Sequence, residues 1–458
     1  MLSTLYIFLI IFIALFEFVR KKQRHFDYLT FFNVVFCVSY PLPGFVLAAT
    51  SNSNLVSSMI LGTTIDLNNI QVPLSIFLTY FLVVIGFYSK SSQRFAKTIS
   101  IENKSRVGMI IIFSILVLLF SIISIYLYSS EFGGLFSAIS KASLIRSSVI
   151  EAGSLSFFKR FIFFSLFAAY LLASVVFIKG IKNYKFVLGC VFVISIIIFV
   201  ISFMIMANRA VLVRSIVTFY LVYVIRKGAP SLGLMLIFVA SSCIFVFYGK
   251  EIFGSLTALP NGIDAVVDRF QYYLDTQDKQ EFSLKELSGE VSFPVSSIYA
   301  AINTPYEIRF LNDWIYGFLS FFPDRILEDL LSYQVPETLS FHNTYYLIKS
   351  NEYEIPSGFI SSCLYSFSWA GVIIFSFLYG WLGRCLNNIM VRPIRNIYWM
   401  PFIYIAAGLI WVDFIPYADP KILLHTHFWF LSSTIILFFL GTKISFLKVN
   451  YHAHKSKK

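Results

Sequence analysis

The sequence predicts an all-α polytopic membrane protein with about eleven transmembrane helices and one large extracytoplasmic loop. Hydrophobic residues make up 58% of the 458 residues and charged residues only 13%, with a mean hydropathy of +0.77. Apolar runs of roughly 17–25 residues, the length that crosses a bilayer as a helix, recur along the whole chain. Because unpaired backbone groups are costly in lipid and membrane β-barrels show only weak alternation, these runs predict helices.

The apolar runs place the predicted helices and divide the chain into four regions. Spans are predicted at 2–19, 29–49, 72–89, 108–128, 161–178, 186–206, 210–225, 231–248, 358–383, 397–413 and 422–441. The first eight spans occupy residues 1–248, and the last three occupy 358–441. Between them lies a long polar loop, 249–357, which we expect to carry short amphipathic helices. Residues 442–458 form a basic tail.

The positions of lysine and arginine predict how the chain is oriented in the membrane. Most of the 36 basic residues fall in short connections, which lie at 20–24, 90–106, 179–185, 226–227, 384–395 and 443–458. These connections alternate correctly across eleven spans, and the positive-inside tendency places them in the cytoplasm. The N-terminus is then outside and the C-terminus cytoplasmic. Because the formal charge of +12 is spread over these connections, we expect the lipid bilayer as a partner and no nucleic acid.

The long loop is expected to fold down onto the bundle rather than to form a free-standing domain. Residues Trp314 to Phe322 are apolar but too short to cross a bilayer, which predicts a helix that dips into the interface. Another outer connection, Ser129 to Phe158, carries apolar residues at helical spacing and is predicted to lie along the interface. Arg146 in that connection would face headgroups or a ligand.

Two arginines near the outer end of the seventh span are candidate functional residues. Arg209 lies at that end, and Arg214 is five residues on, about 7.5 Å deeper at the usual helical rise. An arginine at that depth must face the bundle interior or a wet cavity, because exposure to lipid costs several kcal/mol. Snorkelling to the headgroups is the alternative for Arg209, and a structural ion pair is the alternative for Arg214.

The long loop carries the other candidates, and the run Glu354-Ile-Pro-Ser-Gly358 at its end is one of them. His342 is of a residue type whose pKa suits proton transfer at neutral pH, although a lone loop histidine is more often an ordinary polar residue. Arg309 and Arg325 could bind phosphate through paired hydrogen bonds or could pair with nearby carboxylates. Tyr345 and Tyr346 could stack on sugar rings or belong to an interfacial aromatic belt.

Several motifs that would define other chemistries are absent from the sequence. No glycine-rich phosphate loop follows a strand, no His/Cys cluster has metal-ligand spacing, and no G-x-S-x-G motif occurs. His425 and His427 lie near Asp413 and Asp419, but their spacing is generic for a metal site. We therefore expect neither a metal nor a cofactor.

Four segments together suggest a family. They are Asn208-Arg209-Ala210, Phe322-Pro-Asp-Arg325, His342-Asn-Thr-Tyr-Tyr346, and Pro356-Ser-Gly-Phe359 leading to Trp369-Ala-Gly-Val-Ile373. With these segments the chain resembles the bacterial oligosaccharide repeat-unit polymerases of the Wzy type, which build O-antigen and capsule chains. Many spans and one dominant periplasmic loop in the C-terminal half extend the resemblance to the whole topology.

Differences between this sequence and the patterns of related families help to choose among the possible functions. The O-antigen ligases carry an arginine followed four residues later by leucine, whereas Val213 follows Arg209 here. Their spacing from histidine to glycine is also shorter than that from His342 to Gly358. These departures favour a polymerase, with the ligase and a transporter of lipid-linked oligosaccharide (a flippase) as alternatives. A metal-dependent membrane glycosyltransferase would need a carboxylate motif in the first outer loop, where Asp66 stands alone.

The resemblance implies a polysaccharide polymerase of the bacterial inner membrane that transfers glycan with inversion and uses neither a metal nor a nucleotide sugar. The donor glycan leaves undecaprenyl diphosphate when a hydroxyl of a second lipid-linked repeat unit attacks its anomeric carbon, and a chain-length regulator protein is a further expected partner. Arginines would hold the developing diphosphate charge. The expected catalytic residues are Arg209, Arg214 and the base His342, and the expected substrate-binding residues are Arg325, Arg309, Arg146, Tyr345 and Tyr346.

Overall fold

The computed structural model of the chain describes residues 2–22, 24–50, 69–146, 153–180, 184–276, 292–322, 326–327, 332, 334–349 and 354–446. The helices that precede the long loop are α1 (Leu2–Val19), α2 (Tyr28–Ser39), α3 (Pro41–Thr50), α4 (Gln71–Tyr88), α5 (Lys90–Thr98), α6 (Val107–Ser130), α7 (Leu135–Arg146), α8 (Phe164–Ala173), α9 (Lys185–Met206), α10 (Arg209–Lys227) and α11 (Leu232–Phe247). Those in and after the loop are α12 (Gly249–Ser255), α13 (Ile263–Thr276), α14 (Phe293–Ile302), α15 (Arg309–Leu319), α16 (Leu339–Ile348), α17 (Phe359–Val391), α18 (Met400–Tyr417), α19 (Pro420–Thr426) and α20 (Phe428–Gly441). A 3₁₀ helix, Ser154–Phe161, leads into α8, and a π-helix, Ser174–Lys179, follows it.

The predicted bundle of apolar helices is confirmed. Within the described residues, eight helical segments are long and apolar enough to cross a membrane, or nine if the bent pair α19 and α20 counts as one span. Two of the eleven predicted spans are helical but fall short of that standard. Span 210–225 is α10, which carries basic residues at both ends and in its second turn, and span 231–248 is α11, which has only 16 residues.

Three spans are interrupted. Helix α2 ends at Ser39, Tyr40 is its C-cap, and α3 begins at Pro41, a residue that is favoured in the first turn of a helix. Helix α17 contains a break at Phe367 and Ser368, where Ser368 has a φ of +52°. Helices α19 and α20 meet at His427 with a bend of 64°. Such breaks expose backbone polar groups, which membrane proteins tolerate only where protein or a wet cavity surrounds them.

Two glycines let α4 and α17 pack at very short range. A Cβ atom at Gly380 would lie 2.0 Å from the carbonyl oxygen of Val83, and one at Gly86 would lie 2.1 Å from the carbonyl oxygen of Phe377. Since a larger residue could not occupy either position without moving a backbone, the two glycines fix how close the helices lie. This contact anchors α17, the span that follows the long loop, to the N-terminal half of the bundle.

A two-stranded antiparallel ribbon adds to the helices and was not predicted from the sequence. Strand β1 (Ile99–Asn103) pairs with β2 (Thr442–Phe446), with Ile101 opposite Ile444 and Glu102 opposite Lys443. The start of the predicted basic tail is therefore a strand. Because the ribbon joins the connection after α5 to the segment after α20, those two basic segments lie together, as expected if they share one face of the membrane.

The described helices of the long loop lie on the bundle. Helix α14 is buried along most of its length and packs on α17 and α16. Helix α15, which includes most of the predicted interfacial piece, packs against α19. At that contact a Cβ atom on Gly317 would lie 3.1 Å from the backbone of Pro420, so the two helices approach closely. The loop thereby covers the region around α19.

Candidate functional site

A cavity of about 430 Å³ lies where parts of the chain far apart in sequence meet. Its walls come from the 3₁₀ helix before α8, the α9–α10 hairpin, the start of α16, the segment before α17, and the α19–α20 break. The lining residues are Ser156, Phe157, Lys159, Arg160, Phe163, Met206, Asn208, Thr338, Glu354, Lys421, Ile422, His425, Thr426 and Trp429. Among the described residues, this lining holds three basic side chains, Lys159, Arg160 and Lys421, and one carboxylate, Glu354.

Helix α19 aims two side chains into the cavity because of how it begins. Asp419 is its N-cap and accepts a hydrogen bond from the backbone N–H of Ile422, while its other carboxylate oxygen accepts two from Ser340, which ties α19 to α16. Lys421 and His425 are four residues apart and therefore share one face of the helix. Both line the cavity, Lys421 beside His425.

Residues in α15 and directly after it hold these side chains in place. The Nζ atom of Lys421 donates a hydrogen bond to the Tyr316 hydroxyl at 3.0 Å and lies 4.8 Å from the centre of the Tyr316 ring. His425 places Nε2 2.9 Å from the Ser320 hydroxyl oxygen, and its ring stacks on Phe321. The cavity wall formed by α19 is therefore fixed by the loop and not by α19 alone.

Arg160 is the second cation that the loop positions. Its guanidinium donates to the backbone carbonyls of Ser320 and Phe321, both at 3.3 Å, and lies between the rings of Phe157 and Phe321. A planar guanidinium can both stack on rings and donate several hydrogen bonds at once, which a lysine cannot do. This geometry holds Arg160 at the cavity wall with its charge oriented.

Glu354 enters the cavity from the segment before α17. Thr338 is the N-cap of α16 and accepts a hydrogen bond from the backbone N–H of Phe341, so its own hydroxyl proton is left to donate to Glu354 Oε1, at 3.2 Å. The next residue, Ile355, donates its backbone N–H to the Thr344 hydroxyl at 2.6 Å. Burial and the nearby Asp419 carboxylate raise the pKa of Glu354 above its ordinary value.

Arg214 lies in a small polar cluster next to the cavity. Its Nη1 atom is 3.0 Å from Asp413 Oδ2, and His427 Nε2 lies 2.9 Å from the same carboxylate oxygen. A pocket of about 20 Å³ adjoins the cluster, which is room for about one water molecule. Trp429 lines both this pocket and the large cavity, so its side chain belongs to the wall of each. The ion pair that was the alternative for Arg214 is present.

His342 is described but is not among the residues that line the cavity. The side chain is buried and contacts the rings of Tyr346 and Tyr365, with centroids 4.9 and 5.1 Å away. Burial and the positive charge of Arg309 lower the pKa of His342 to about 4. At neutral pH the imidazole is therefore uncharged and a weaker base than its residue type suggested. Its predicted catalytic role stays a prediction.

Three other predicted substrate-binding residues also lie outside the cavity lining. Arg309 is buried, donates to the backbone carbonyl of Glu337 and lies 3.6 Å from Asp313 Oδ1. The pairing with a carboxylate that was the alternative for Arg309 is therefore present. Tyr345 and Tyr346 contact each other, and the Lys349 ammonium lies about 5 Å from both ring centres. These residues form one group with His342, apart from the cavity lining.

The remaining predicted site residues are Arg209, Arg146 and Arg325. Arg209 packs its side chain against Gly249, where a Cβ atom would lie 2.1 Å from Arg209 Cδ, and it is not in the cavity lining. The backbone of Arg146 ends α7, but its side chain lies outside what the structure describes, and Arg325 lies outside the described residues altogether. The roles predicted for all three stay predictions.

Most of the residues that line the cavity were not predicted from the sequence. Lys159, Arg160 and Lys421 were not chosen, Glu354 was a candidate only as the first residue of the run Glu354-Ile-Pro-Ser-Gly358 and without an assigned role, and His425 was considered only as a weak metal ligand. One local signal was available: Asp419-Pro420 is a strong helix start, which places Lys421 and His425 on the same face. Nothing local in the sequence indicates that Glu354 lies opposite them.

A long apolar groove of about 390 Å³ runs beside the cavity on the membrane-spanning part of the bundle. Its walls come from α17, α18 and α20 and include Leu382, Leu386, Ile410 and Ile435. The broken span α19–α20 separates the two spaces, since Leu423 and Phe430 line the groove while Lys421 and Trp429 line the cavity. The arrangement can therefore accommodate an amphiphile with an anionic head and an apolar tail.

Comparisons with known proteins identify no relative of this chain, so any functional proposal depends on the geometry of the cavity. The chain matches no family model, no curated protein and no solved structure. Within the described residues, no group of three or more His, Cys, Asp or Glu side chains is arranged to hold a metal ion.

Proposed function

We propose that this protein polymerises lipid-linked oligosaccharide repeat units, acting as a glycosyltransferase with an undecaprenyl-diphosphate-linked donor. The observation that carries the proposal is the cavity in which Lys159, Arg160 and Lys421 lie together next to an apolar groove. A diphosphate leaving group gains negative charge as the glycosidic bond breaks, and fixed cations stabilise that charge. Cations held in place before the reaction need no costly rearrangement during it.

In this proposal each part of the lipid-linked donor occupies a different part of the cavity and groove. The diphosphate lies among the three cations, and the polyprenyl chain runs along the groove formed by α17, α18 and α20. The sugar attached to the diphosphate then points into the remaining volume of the cavity, beside Thr338 and Glu354. The hydroxyl of the second repeat unit attacks the anomeric carbon from the face opposite the diphosphate, which inverts that centre. Arg214 lies behind Trp429 and supports the wall of this site.

In this proposal the protein has the topology that was predicted from the sequence. Its chain crosses the bacterial inner membrane eleven times, with the N-terminus in the periplasm and the C-terminus in the cytoplasm. The cavity then opens on the periplasmic side, where lipid-linked repeat units of O-antigen or capsule are joined. A chain-length regulator protein is the further partner, and transfer proceeds without a metal or nucleotide sugar.

The test is reconstitution with the natural lipid-linked repeat unit, extracted from a strain that lacks this gene. Purified protein in liposomes is expected to convert single units to a ladder of longer glycans on one lipid carrier, in the presence of EDTA. Transfer of a single unit to lipid A core, with no ladder, would identify a ligase instead. No glycan product under conditions where the donor binds would overturn the proposal.

A second candidate function is transport of the lipid-linked oligosaccharide. The broken span α19–α20 and the Arg214–Asp413–His427 cluster beside it favour this candidate, because transporters place ionisable groups at interrupted helices. An assay that follows both the position and the length of a labelled lipid-linked oligosaccharide distinguishes the two candidate functions. A transporter moves labelled substrate across the liposome membrane and leaves its covalent structure unchanged, whereas a polymerase changes its length.

A further inference from the structure

Glu354 differs from the rest of the cavity lining in charge. It is the one carboxylate among the described lining residues, and its side chain is exposed to the cavity. The three basic side chains are enough to bind a diphosphate. Glu354 is therefore not needed for donor binding. An acceptor hydroxyl, however, must lose a proton when it attacks, and a carboxylate in the same cavity can take it.

The backbone after Glu354 is well held, and one hydrogen bond orients the side chain. The Thr338 hydroxyl donates to Oε1, and the backbone after Glu354 is held by α16, where Asn343 Nδ2 donates to the carbonyl oxygens of Ile355 and Pro356 at 3.0 and 3.2 Å. Further along, Gly358 has a φ of +75°, and a Cβ atom there would lie 2.9 Å from Pro294. A catalytic group needs this kind of support, since small displacements reduce the rate strongly.

We propose that Glu354 is the general base that activates the acceptor hydroxyl, an inference that rests on the proposed polymerase function. The hydroxyl oxygen forms a bond to the anomeric carbon of the donor sugar, and the hydroxyl proton passes to a Glu354 carboxylate oxygen. The bond from the anomeric carbon to the phosphate oxygen breaks, and its electron pair leaves with the diphosphate. Glu354 then releases its proton to water, which restores the carboxylate.

The two histidines near the site are less suited to this role. His342 is buried among Tyr346 and Tyr365 and is outside the cavity lining. His425 does line the cavity, but its Nε2 atom already lies 2.9 Å from the Ser320 hydroxyl, and its ring stacks on Phe321. A base must lie within hydrogen-bond reach of the proton that it removes, and Glu354 faces the cavity directly.

The charges around Glu354 determine the pH dependence of the reaction. The groups that face it are Thr338 at the start of α16, Asp419 and Lys421 at the start of α19, and Lys159, Arg160 and His425 across the cavity. Burial and Asp419 raise its pKa, while Thr338 and Lys421 act in the opposite direction. Because the base acts only when it is deprotonated, the rate falls as the pH falls through this pKa.

The experiment compares Glu354→Gln and Glu354→Asp with the wild type in the reconstituted polymerisation assay. Removing a general base lowers the rate by about 10²–10⁴-fold, so Glu354→Gln is expected to lose kcat to this extent and to bind the lipid-linked donor normally. Glu354→Asp keeps a base at a shorter reach and is expected to recover part of kcat. The matched control is Glu337→Gln, which alters an exposed carboxylate that does not line the cavity.

Thr338 is the positioning residue, and its test uses the pH profile. Thr338→Val removes the hydrogen bond that favours the ionised carboxylate, so the acidic limb of the pH–rate profile is expected to move to higher pH. Thr338→Ser keeps the hydroxyl and is expected to keep the wild-type limb. A purely structural role would lower the amount of folded protein in Thr338→Val and leave the limb in place.

The outcomes separate this inference from the proposed function. If the wild type makes polymer and Glu354→Gln makes it at the same rate, Glu354 is not the base and the polymerase proposal stands. If Glu354→Gln loses activity only in proportion to its donor binding or folded fraction, the inference is also wrong. If the wild type binds donor and makes no polymer, the proposed function is wrong, and the role of Glu354 is withdrawn with it.

Discussion

Arg214 Nη1 lies 3.0 Å from Asp413 Oδ2 in the interior of the bundle, and the two residues belong to α10 and α18. The same carboxylate oxygen accepts from His427, which stands at the break between α19 and α20. One carboxylate therefore connects three segments, one of which carries the cavity residues Lys421 and His425. An arginine that was predicted from sequence to hold a diphosphate is thus engaged with a carboxylate beside the cavity.

The first prediction concerns this ion pair. Arg214→Ala leaves the half-buried Asp413 carboxylate with His427 as its remaining partner, and Asp413→Ala leaves the guanidinium without a carboxylate. Breaking a fully buried pair from one side costs about 3–5 kcal/mol, whereas apolar replacement of both partners costs far less. Because these side chains are partly exposed and His427 remains, we expect a smaller cost here. We expect each single variant to reduce thermal stability in detergent and the double variant Arg214→Met, Asp413→Leu to recover most of it.

Activity measured on the same samples separates a structural role from a catalytic one. Arg214→Lys retains the charge and is expected to retain most of the folded protein and of the polymerase activity per folded molecule. A variant that is folded and abundant but has lost turnover by about 2–4 kcal/mol of barrier would show that Arg214 contacts the diphosphate, as the sequence analysis predicted.

The second prediction concerns Lys421. Its ammonium is held by Tyr316 at the wall of the cavity, where a diphosphate would lie. Lys421→Gln removes the charge and shortens the side chain by one atom, so we expect kcat/KM for the lipid-linked donor to fall by about 10²–10³-fold. The matched control is Lys97→Gln, an exposed lysine in α5. Equal activity of the two variants would exclude Lys421 from the donor site.

The third prediction concerns the stability of the protein at low pH. His342 has a pKa of about 4 in the folded protein and an ordinary value of 6.5, because it is buried beside Arg309. Between these two values the unfolded chain binds a proton that the folded protein does not, so His342 causes stability to fall as the pH drops from 6.5 towards 4. Above pH 6.5 it contributes no pH dependence. His342→Gln is expected to flatten the dependence in this window, as measured by melting temperature at pH 7 and pH 5.

Kinetics of the same variant test the sequence-based role of His342. If its contribution is confined to the aromatic group with Tyr346 and Tyr365, the pH–rate profile between pH 6 and 8 is expected to match that of the wild type. A profile that loses its acidic limb in His342→Gln would make His342 the base and would argue against Glu354.

The sequence was a good guide to the helices because hydrophobic length reports directly on membrane spans. Every predicted span is helical, since a run such as 186–206 has no other stable conformation in lipid. The breaks were harder to predict. Ser368 and His427 interrupt apolar runs without a proline at the break, so no helix-breaking residue marks either position in the sequence. The β1–β2 ribbon likewise depends on pairing between residues more than 300 positions apart, roughly the distance from Ile101 to Ile444.

The site was predicted less well for a related physical reason. Residues that stand out in sequence, such as Arg214 and Arg309, stand out because they are costly to bury, and burial forces them to find carboxylate partners. Lys421 looks ordinary because it lies in a polar segment, and Glu354 was noted only as the start of a run that leads into a span. The packing of α15 and α16 brings both residues to one cavity, and no local sequence pattern predicts a contact between segments so far apart.

The last prediction tests the ribbon. Ile101 and Ile444 are directly opposite in the antiparallel pair, where Cα atoms lie about 4.5–5.5 Å apart, a separation that a disulfide can bridge. In a background with the native cysteines changed to serine, Ile101→Cys, Ile444→Cys is expected to cross-link in isolated membranes when an oxidant is added. The control Ile101→Cys, Phe446→Cys pairs positions two residues out of register, about 7–8 Å apart, and is expected to cross-link poorly. Equal cross-linking of the two pairs would contradict the register. No cross-linking of the first pair, in protein that is folded and active, would contradict the ribbon itself and with it the argument that the segments after α5 and α20 share one face of the membrane.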